Sequence, residues 1–208
     1  MTNVLVLGAS GQIARQALPM LAAQGDTLTL LARTPKKVDA PEGARVVEGD
    51  VLDADALGSV MQGQDAVYAN LAGDVDRQAE AIISAMDDAG VRRLVFVLAL
   101  GIYDELPEPF NTWNQSMVGP MLKVYRRAAD MIEASDLDYT IVRPTWLTDR
   151  DEIDYQTTPR GEQPKGTEVS RKSVAALVAE AVAHPDEYAR TDLAIDKPGT
   201  EGPKPSWY

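Results

Sequence analysis

Four apolar residues, Val4-Leu5-Val6-Leu7, run directly into Gly8-Ala9-Ser10-Gly11 and then into a segment, Gln12-Ile13-Ala14 onward, with helical amphipathic spacing. A short continuous apolar run closed by glycine reads as a strand buried on both faces. Further β-type runs lie at 27–31, 44–48, 66–69, 94–98 and 139–143. Between them apolar residues recur at the period of a helix. Val75, Ala79, Ile82, Ile83 and Met86 share one face, as do Met121, Val124, Tyr125, Ala128 and Ile132. Near the end Val174, Leu177, Val178, Ala181 and Val182 form another stripe, with Ser170 placed as an N-cap and Pro185 as a stop. Strands alternating with helices predict an α/β fold, a parallel sheet covered by helices on both faces. In such sheets ligands bind beyond the carboxyl ends of the strands, so each functional candidate is expected just after a strand. Segments 104–120 and 148–167 are polar and rich in Pro and Gly; they read as loops, or a small C-terminal lobe, over the ligand. The stretch 197–208, with its prolines, reads as irregular. Residues 1–208 read as one domain.

The opening segment carries the chemistry. Gly8 permits a sharp turn out of the strand, and Gly11 lets the backbone approach a phosphate with no side chain between. Ala14 is small enough for close packing of helix on strand, and the free N–H groups at the helix start face negative charge. Gly8, Ser10, Gly11, Gln12 and Ile13 are therefore candidate contacts for a dinucleotide pyrophosphate, in a Rossmann-like doubly wound sheet. A fold selective for NAD usually places an acid about 20 residues beyond the glycine turn, to bond the ribose 2′-hydroxyl. Here the second strand runs instead into Ala32-Arg33-Thr34, with Lys36 and Lys37 behind. A guanidinium at that point suits a 2′-phosphate, which favours NADP(H) over NAD(H); a solvated basic turn is the alternative. After the third strand, Asp50 is placed to accept from the adenine amino group, or else to cap a helix, a role that suits Asp53 better. The fourth strand ends in Asn70-Leu71-Ala72-Gly73, small enough at its end for a ribose to approach.

Composition narrows the partners. The formal charge of -12 disfavours nucleic acid and anionic lipid. No cysteine is present, which removes disulfides and thiolate chemistry. No leader pattern and no membrane-length apolar run is visible, so the expectation is a cytoplasmic protein, monomeric or a small homo-oligomer, acting on a small molecule. The acidic run 149–154 lacks ligand partners and reads as a solvated loop, with no metal expected; His184 reads as a helix-end cap.

Taken together, Gly8 to Ala14, Gly49-Asp50-Val51-Leu52-Asp53, Gln64-Asp65-Ala66-Val67-Tyr68 and, above all, Leu137-Asp138-Tyr139-Thr140-Ile141-Val142-Arg143-Pro144 resemble the atypical short-chain dehydrogenase/reductases. That group includes flavin reductases of the biliverdin reductase B kind and NmrA-like proteins. Leu100-Gly101-Ile102-Tyr103-Asp104-Glu105 and Gly166-Thr167-Glu168-Val169-Ser170-Arg171 look like a bacterial subgroup of small oxidoreductases. The resemblance implies that Arg33, with Lys37 near it, meets the 2′-phosphate, that Asp50 and Val51 meet the adenine, and that Leu71, Ala72 and Gly73 meet the ribose. It places Ala99, Pro144, Thr145 and Trp146 beside the nicotinamide.

The departures from that family bear on mechanism. Ordinary short-chain dehydrogenases use a Tyr with a Lys four residues later; no tyrosine here has that partner. Helix register puts Arg126 at the lysine position and Leu122 at the tyrosine position, and Leu98-Ala99 stands where the family has two serines. Arg126 can orient an anion but cannot donate a proton at neutral pH, and it reads equally as a surface charge. Tyr103, in the loop after the fifth strand, is the better donor candidate. Tyr125 reads as either a core residue or a second donor. Trp113 and Trp146 are candidates to wall a flat substrate. The expected activity is NADPH-dependent hydride transfer to a conjugated acceptor, flavin- or quinone-like, for which proton delivery by the missing pair is dispensable. The alternative is a non-catalytic NADP(H) sensor of the NmrA-like kind.

Overall fold

The computed structural model describes all 208 residues. In chain order its elements are β1 (Asn3–Leu7), α1 (Gln12–Ala23), β2 (Thr27–Ala32), β3 (Arg45–Glu48), α2 (Ala54–Met61), β4 (Ala66–Asn70), α3 (Val75–Ala89) and β5 (Arg93–Val97). They continue with α4 (Phe110–Ala134), β6 (Asp138–Pro144), β7 (Trp146–Thr148), β8 (Gln156–Pro159), β9 (Glu168–Ser170), α5 (Arg171–Ala183), α6 (Pro185–Tyr188) and β10 (Thr191–Asp196). The main sheet has the order β3-β2-β1-β4-β5-β6-β10-β8, parallel except for β8, which runs antiparallel along β10. The strand order reverses direction at β1, which pairs with β2 on one side and β4 on the other.

Alternating side chains of each central strand feed two separate cores. Leu5 and Leu7 of β1, with Leu94 and Phe96 of β5, pack into the core beneath α2, α3 and α4. Val4 and Val6, with Val95 and Val97, pack into the core beneath α1 and α5. Every position of these runs is apolar because both faces of the sheet are covered. The helix ends follow local chemistry. Asp53 caps α2 by accepting from Ala56 N–H at 3.1 Å, and Ser170 caps α5 by accepting from Ser173 N–H at 2.9 Å. Buried Arg93 ties three elements together, donating to Asp138 O, Thr140 Oγ1 and Ala181 O at 2.6 to 2.7 Å. Its burial draws the guanidinium pKa down to about 10, which leaves it charged at neutral pH.

The structure corrects three expectations. Only the first part of segment 104–120 is a loop, because α4 begins at Phe110 and carries Pro120 inside it. Pro120 removes one backbone donor, but Phe110 and Asn114 are buried and anchor the preceding turns, so packing overrides the local break. Segment 148–167 contains β8, whose backbone is paired to β10. β10 itself, with β7 and β9, carried no periodic signal strong enough to be recognised. On α4 the expected stripe is shifted: Tyr125, Ala128 and Ile132 are buried together with Leu122 and Ala129, whereas Met121 is exposed. No helix is long and apolar enough to cross a membrane.

Asp196 closes the sheet's far end. Its Oδ2 accepts from Gln156 Nε2 at 2.8 Å and from Gly166 N–H at 2.7 Å, while Oδ1 has no partner. The residue is fully buried, and burial raises its pKa above the ordinary carboxylate value. A raised folded-state pKa means that the native chain binds this proton more tightly than the unfolded one, so ionising Asp196 weakens the fold. Asp196→Asn is expected to gain on the order of 1 kcal/mol at pH 7, with the gain vanishing below about pH 4, where the unfolded carboxyl is also protonated. Urea denaturation at the two pH values measures this; a loss of stability at pH 7 would contradict it.

Candidate functional site

The carboxyl ends of β1 to β4 open onto a groove of about 370 Å³. Gly8, at φ +83°, turns the chain out of β1 so closely past β4 that a Cβ there would lie 2.2 Å from the Asn70 carbonyl oxygen. No L side chain fits that backbone, so the glycine is required by sterics. Gly11 then caps α1 with no side-chain bond, leaving the N–H groups of Gln12, Ile13 and Ala14 without protein acceptors. With Gly11 and Ser10 on the lining, the start of α1 presents open donors and the positive end of the helix dipole. Ala14 is fully buried against the sheet, as close packing of α1 demands.

Around this groove the candidate residues assemble. Gly8, Ser10, Gly11, Arg33, Lys37, Asp50, Val51, Leu71 and Ala72 all line it; Gln12, Ile13 and Gly73 are not on the lining, Gln12 and Ile13 following Gly11 in the first turn of α1 and Gly73 following Ala72. Arg33 and Lys37 are exposed and make no ion pair. Asp50 accepts from Leu52 N–H at 2.9 Å and keeps its carboxylate at the groove wall, while the capping role falls to Asp53. Open backbone donors and glycines where a Cβ would clash fit the phosphates of a dinucleotide, and Arg33 and Lys37 add unpaired positive charge to the same lining.

A second cavity, also about 370 Å³, lies beyond the ends of β5 and β6. Ala99, Tyr125, Pro144, Thr145 and Trp146 line it, joined by Leu98, Leu122, Phe110 and Trp207. Tyr125 links the two spaces, since its hydroxyl donates to Leu71 O at 3.5 Å while its ring lines the apolar cavity. Burial raises the Tyr125 pKa, keeping the phenol protonated. Three buried polar atoms of the lining residues have no partner: Thr145 Oγ1, Asn114 Nδ2 and Arg171 Nε. The Asn114 Oδ1 accepts from Trp146 Nε1 at 2.9 Å, which fixes the amide orientation. Trp113, Trp146, Trp207 and Tyr208 form one aromatic cluster at the cavity, Trp113 and Trp146 having ring centroids 4.7 Å apart. Trp207, from the irregular tail, was missed by sequence reading because an aperiodic segment gives no cue to where it docks.

Tyr103 and Arg126 sit elsewhere. They line a polar cavity with Glu105, Arg143 and Arg160, separate from the apolar one. The Tyr103 hydroxyl donates to Asp192 Oδ2 at 2.7 Å, and the guanidinium groups of Arg126, Arg143 and Arg160 all lie within 5.0 Å of its ring centroid. Arg143, almost fully buried, is bound to both Glu105 and Asp192. Arg126 pairs with Asp130 at 2.7 Å. Burial and the Asp192 carboxylate raise the Tyr103 pKa. The tyrosine is thus bound into an ionic network that joins the loop after β5 to β6 and β10. The acidic run is likewise paired: Asp149 with Arg171, Asp151 with Lys172, and Glu152 and Asp154 with Lys197.

Residues 8–185 match the family model described as NAD(P)H-binding. The chain belongs to the NAD(P)H-binding family. Among solved structures, this NAD(P)H-binding chain is similar to a Rossmann-fold NAD(P)-binding family protein from Shigella flexneri, at 50% identity over 99% of this chain and 98% of that one, with a TM-score of 0.85. It is also similar to a short-chain dehydrogenase/reductase from Veillonella parvula in complex with NADP, 28% identical over 99% of this chain and 100% of that one, with a TM-score of 0.90. The (4-alkanoyl-5-oxo-2,5-dihydrofuran-3-yl)methyl phosphate reductase of Streptomyces griseus is 30% identical over 142 residues, which are 68% of this chain and 46% of that protein. The chain therefore matches about half the length of that curated relative.

Two variants separate the coenzyme groove from the ionic network. Gly8→Ala is expected to weaken NADP(H) at least about ten-fold in calorimetry, because relieving the contact with Asn70 moves the start of α1. Unchanged affinity would show that the groove does not depend on this turn. Tyr103→Phe is expected to cost about 1 kcal/mol in thermal or urea unfolding and to leave NADP(H) affinity as it is; a change in affinity without loss of stability would place Tyr103 in the site after all.

Proposed function

We propose that this protein is an NADPH-dependent reductase that delivers hydride to a small conjugated acceptor of flavin or quinone type. The observation that carries this reading is the juxtaposition of two unlike spaces through the Tyr125–Leu71 contact: a donor-rich groove at the switch point of the sheet, and an aromatic-walled apolar cavity beside it. Gly8 to Ala14 hold the diphosphate by backbone N–H groups, Asp50 and Val51 meet the adenine, and Leu71 to Gly73 meet the ribose. Arg33, seconded by Lys37, holds the 2′-phosphate and sets the preference for NADP(H). The NADP complex of the Veillonella neighbour supports that preference. The reductase activity named for the Streptomyces relative supports the reaction class.

When bound, the reduced coenzyme supplies the hydride. The chain's own residues position and shield it. Ala99, Pro144 and Trp146 wall the reacting space with apolar surface, and the unpartnered Thr145 hydroxyl would be free to bond the nicotinamide amide. Leu122 stands on the cavity wall at the position where ordinary short-chain dehydrogenases carry their catalytic tyrosine, so no acid is placed there. An acceptor whose conjugation stabilises the added electron pair, taking its proton from solvent, matches such a site. A carbonyl reduced to an alcohol without that help does not.

Arg33→Ala is expected to weaken NADPH by about 10- to 100-fold while leaving NADH nearly unchanged, as the loss of a charge-assisted contact implies. Calorimetric titration with both coenzymes reads this directly, and equal losses would remove Arg33 from the 2′-phosphate. NADPH oxidation is expected to rise on adding flavin or quinone; binding without turnover across such a panel would make the protein a coenzyme sensor.

A further inference from the structure

The polar lining of the apolar cavity is one-sided. In a chain of formal charge -12, no acidic side chain lines it, and its one charged residue is Arg171. The Arg171 guanidinium has a single protein partner, Asp149 Oδ1 at 2.8 Å, and that carboxylate is 82% exposed. The buried Nε of Arg171 has no partner at all. Asn114, 3% exposed, adds an unpartnered amide donor, its oxygen being committed to Trp146. Buried donors without acceptors are costly, and natural proteins retain them chiefly where a ligand completes the bond. The Arg171 side chain is mostly buried but its partner carboxylate is solvated, and such a half-exposed pair is readily exchanged for a better-desolvated anion.

We propose that the acceptor bears an oxyanion group, a carboxylate or phosphate on its apolar conjugated body, and that Arg171 is the residue selecting it. The inference rests on the reading of this cavity as the acceptor site. The rings of Phe110, Trp146 and Trp207 hold the flat body, and the planar guanidinium of Arg171, on the same lining, meets the anion. Asn114 supplies a further donor and no competing acceptor. The coenzyme's own phosphates are held at the other groove, by α1, Arg33 and Lys37.

Redox-inert probes test this apart from turnover. With the protein saturated in NADP⁺, 2-naphthoate and its neutral analogue 2-naphthamide are titrated by calorimetry. The naphthoate is expected to bind about ten-fold more tightly, with the difference shrinking as salt rises. Arg171→Met keeps an apolar stem and is expected to erase that difference, leaving the naphthamide and NADP⁺ affinities as they were; Arg171→Lys is expected to restore part of it. Since Arg171→Met keeps the packed stem and gives up only a bond to an exposed carboxylate, the melting temperature is expected to hold, and Asp149→Asn, which spares the arginine, is expected to tighten the naphthoate. Equal affinity of the two probes for the unaltered protein, failure of both to bind, or an Arg171→Met loss shared by both probes or by NADP⁺ would each overturn the proposal. Charge-selective binding with no turnover of any anionic quinone would instead uphold it and count against the reductase reading.

Discussion

The passage of Gly8 against the Asn70 carbonyl is the contact on which the rest of the site depends. β1 and β4 are hydrogen-bonded neighbours, so the chain leaving β1 must clear the end of β4, and only a hydrogen atom fits between them. That turn sets where α1 begins, with Ser10 and Gly11 on the groove lining and three unpaired N–H groups in the first turn behind them. The same strand end continues into Leu71, whose carbonyl is held by Tyr125 from the far helix α4. The coenzyme groove and the apolar cavity are therefore registered to each other through one strand terminus. A shift at Gly8 would be felt in both.

Charge is partitioned with the same economy of contacts. The polar cavity around Tyr103 holds three arginines, yet Arg143 is bound to Glu105 and Asp192, Arg160 to Glu133, and Arg126 to Asp130. Such groups stabilise local geometry, and breaking a buried pair costs about 3–5 kcal/mol. Arg33 and Lys37 at the groove make no ion pair, and Arg171 at the apolar cavity has only one, to an exposed carboxylate. The number of donors left without acceptors, more than the number of cations, distinguishes a binding surface from a structural network in this chain.

The chemistry follows from what the cavity lacks as much as from what it holds. Burial keeps Tyr125 protonated, its hydroxyl contacts Leu71 O at the groove, and no lysine lines the cavity around it. On the proposed reading, an aromatic-walled apolar space of this kind suits acceptors that stabilise negative charge within their own conjugation.

Sequence alone determined the doubly wound sheet, the phosphate turn, the cation after β2 and the cap at Asp53. Each of these is written in neighbouring residues: an apolar run, a glycine at a forced turn, a side chain one step past a strand. Only tertiary structure decided that Pro120 lies inside a helix, that 191–196 joins the sheet, and that Tyr103 and Arg126 face away from the apolar cavity. It also decided that Trp207 and Arg171 line that cavity, although they are distant in the chain from the strands that build it. These outcomes depend on contacts between segments remote in sequence, where packing and paired charges outweigh local preference, and no local pattern records which remote partner a side chain will meet.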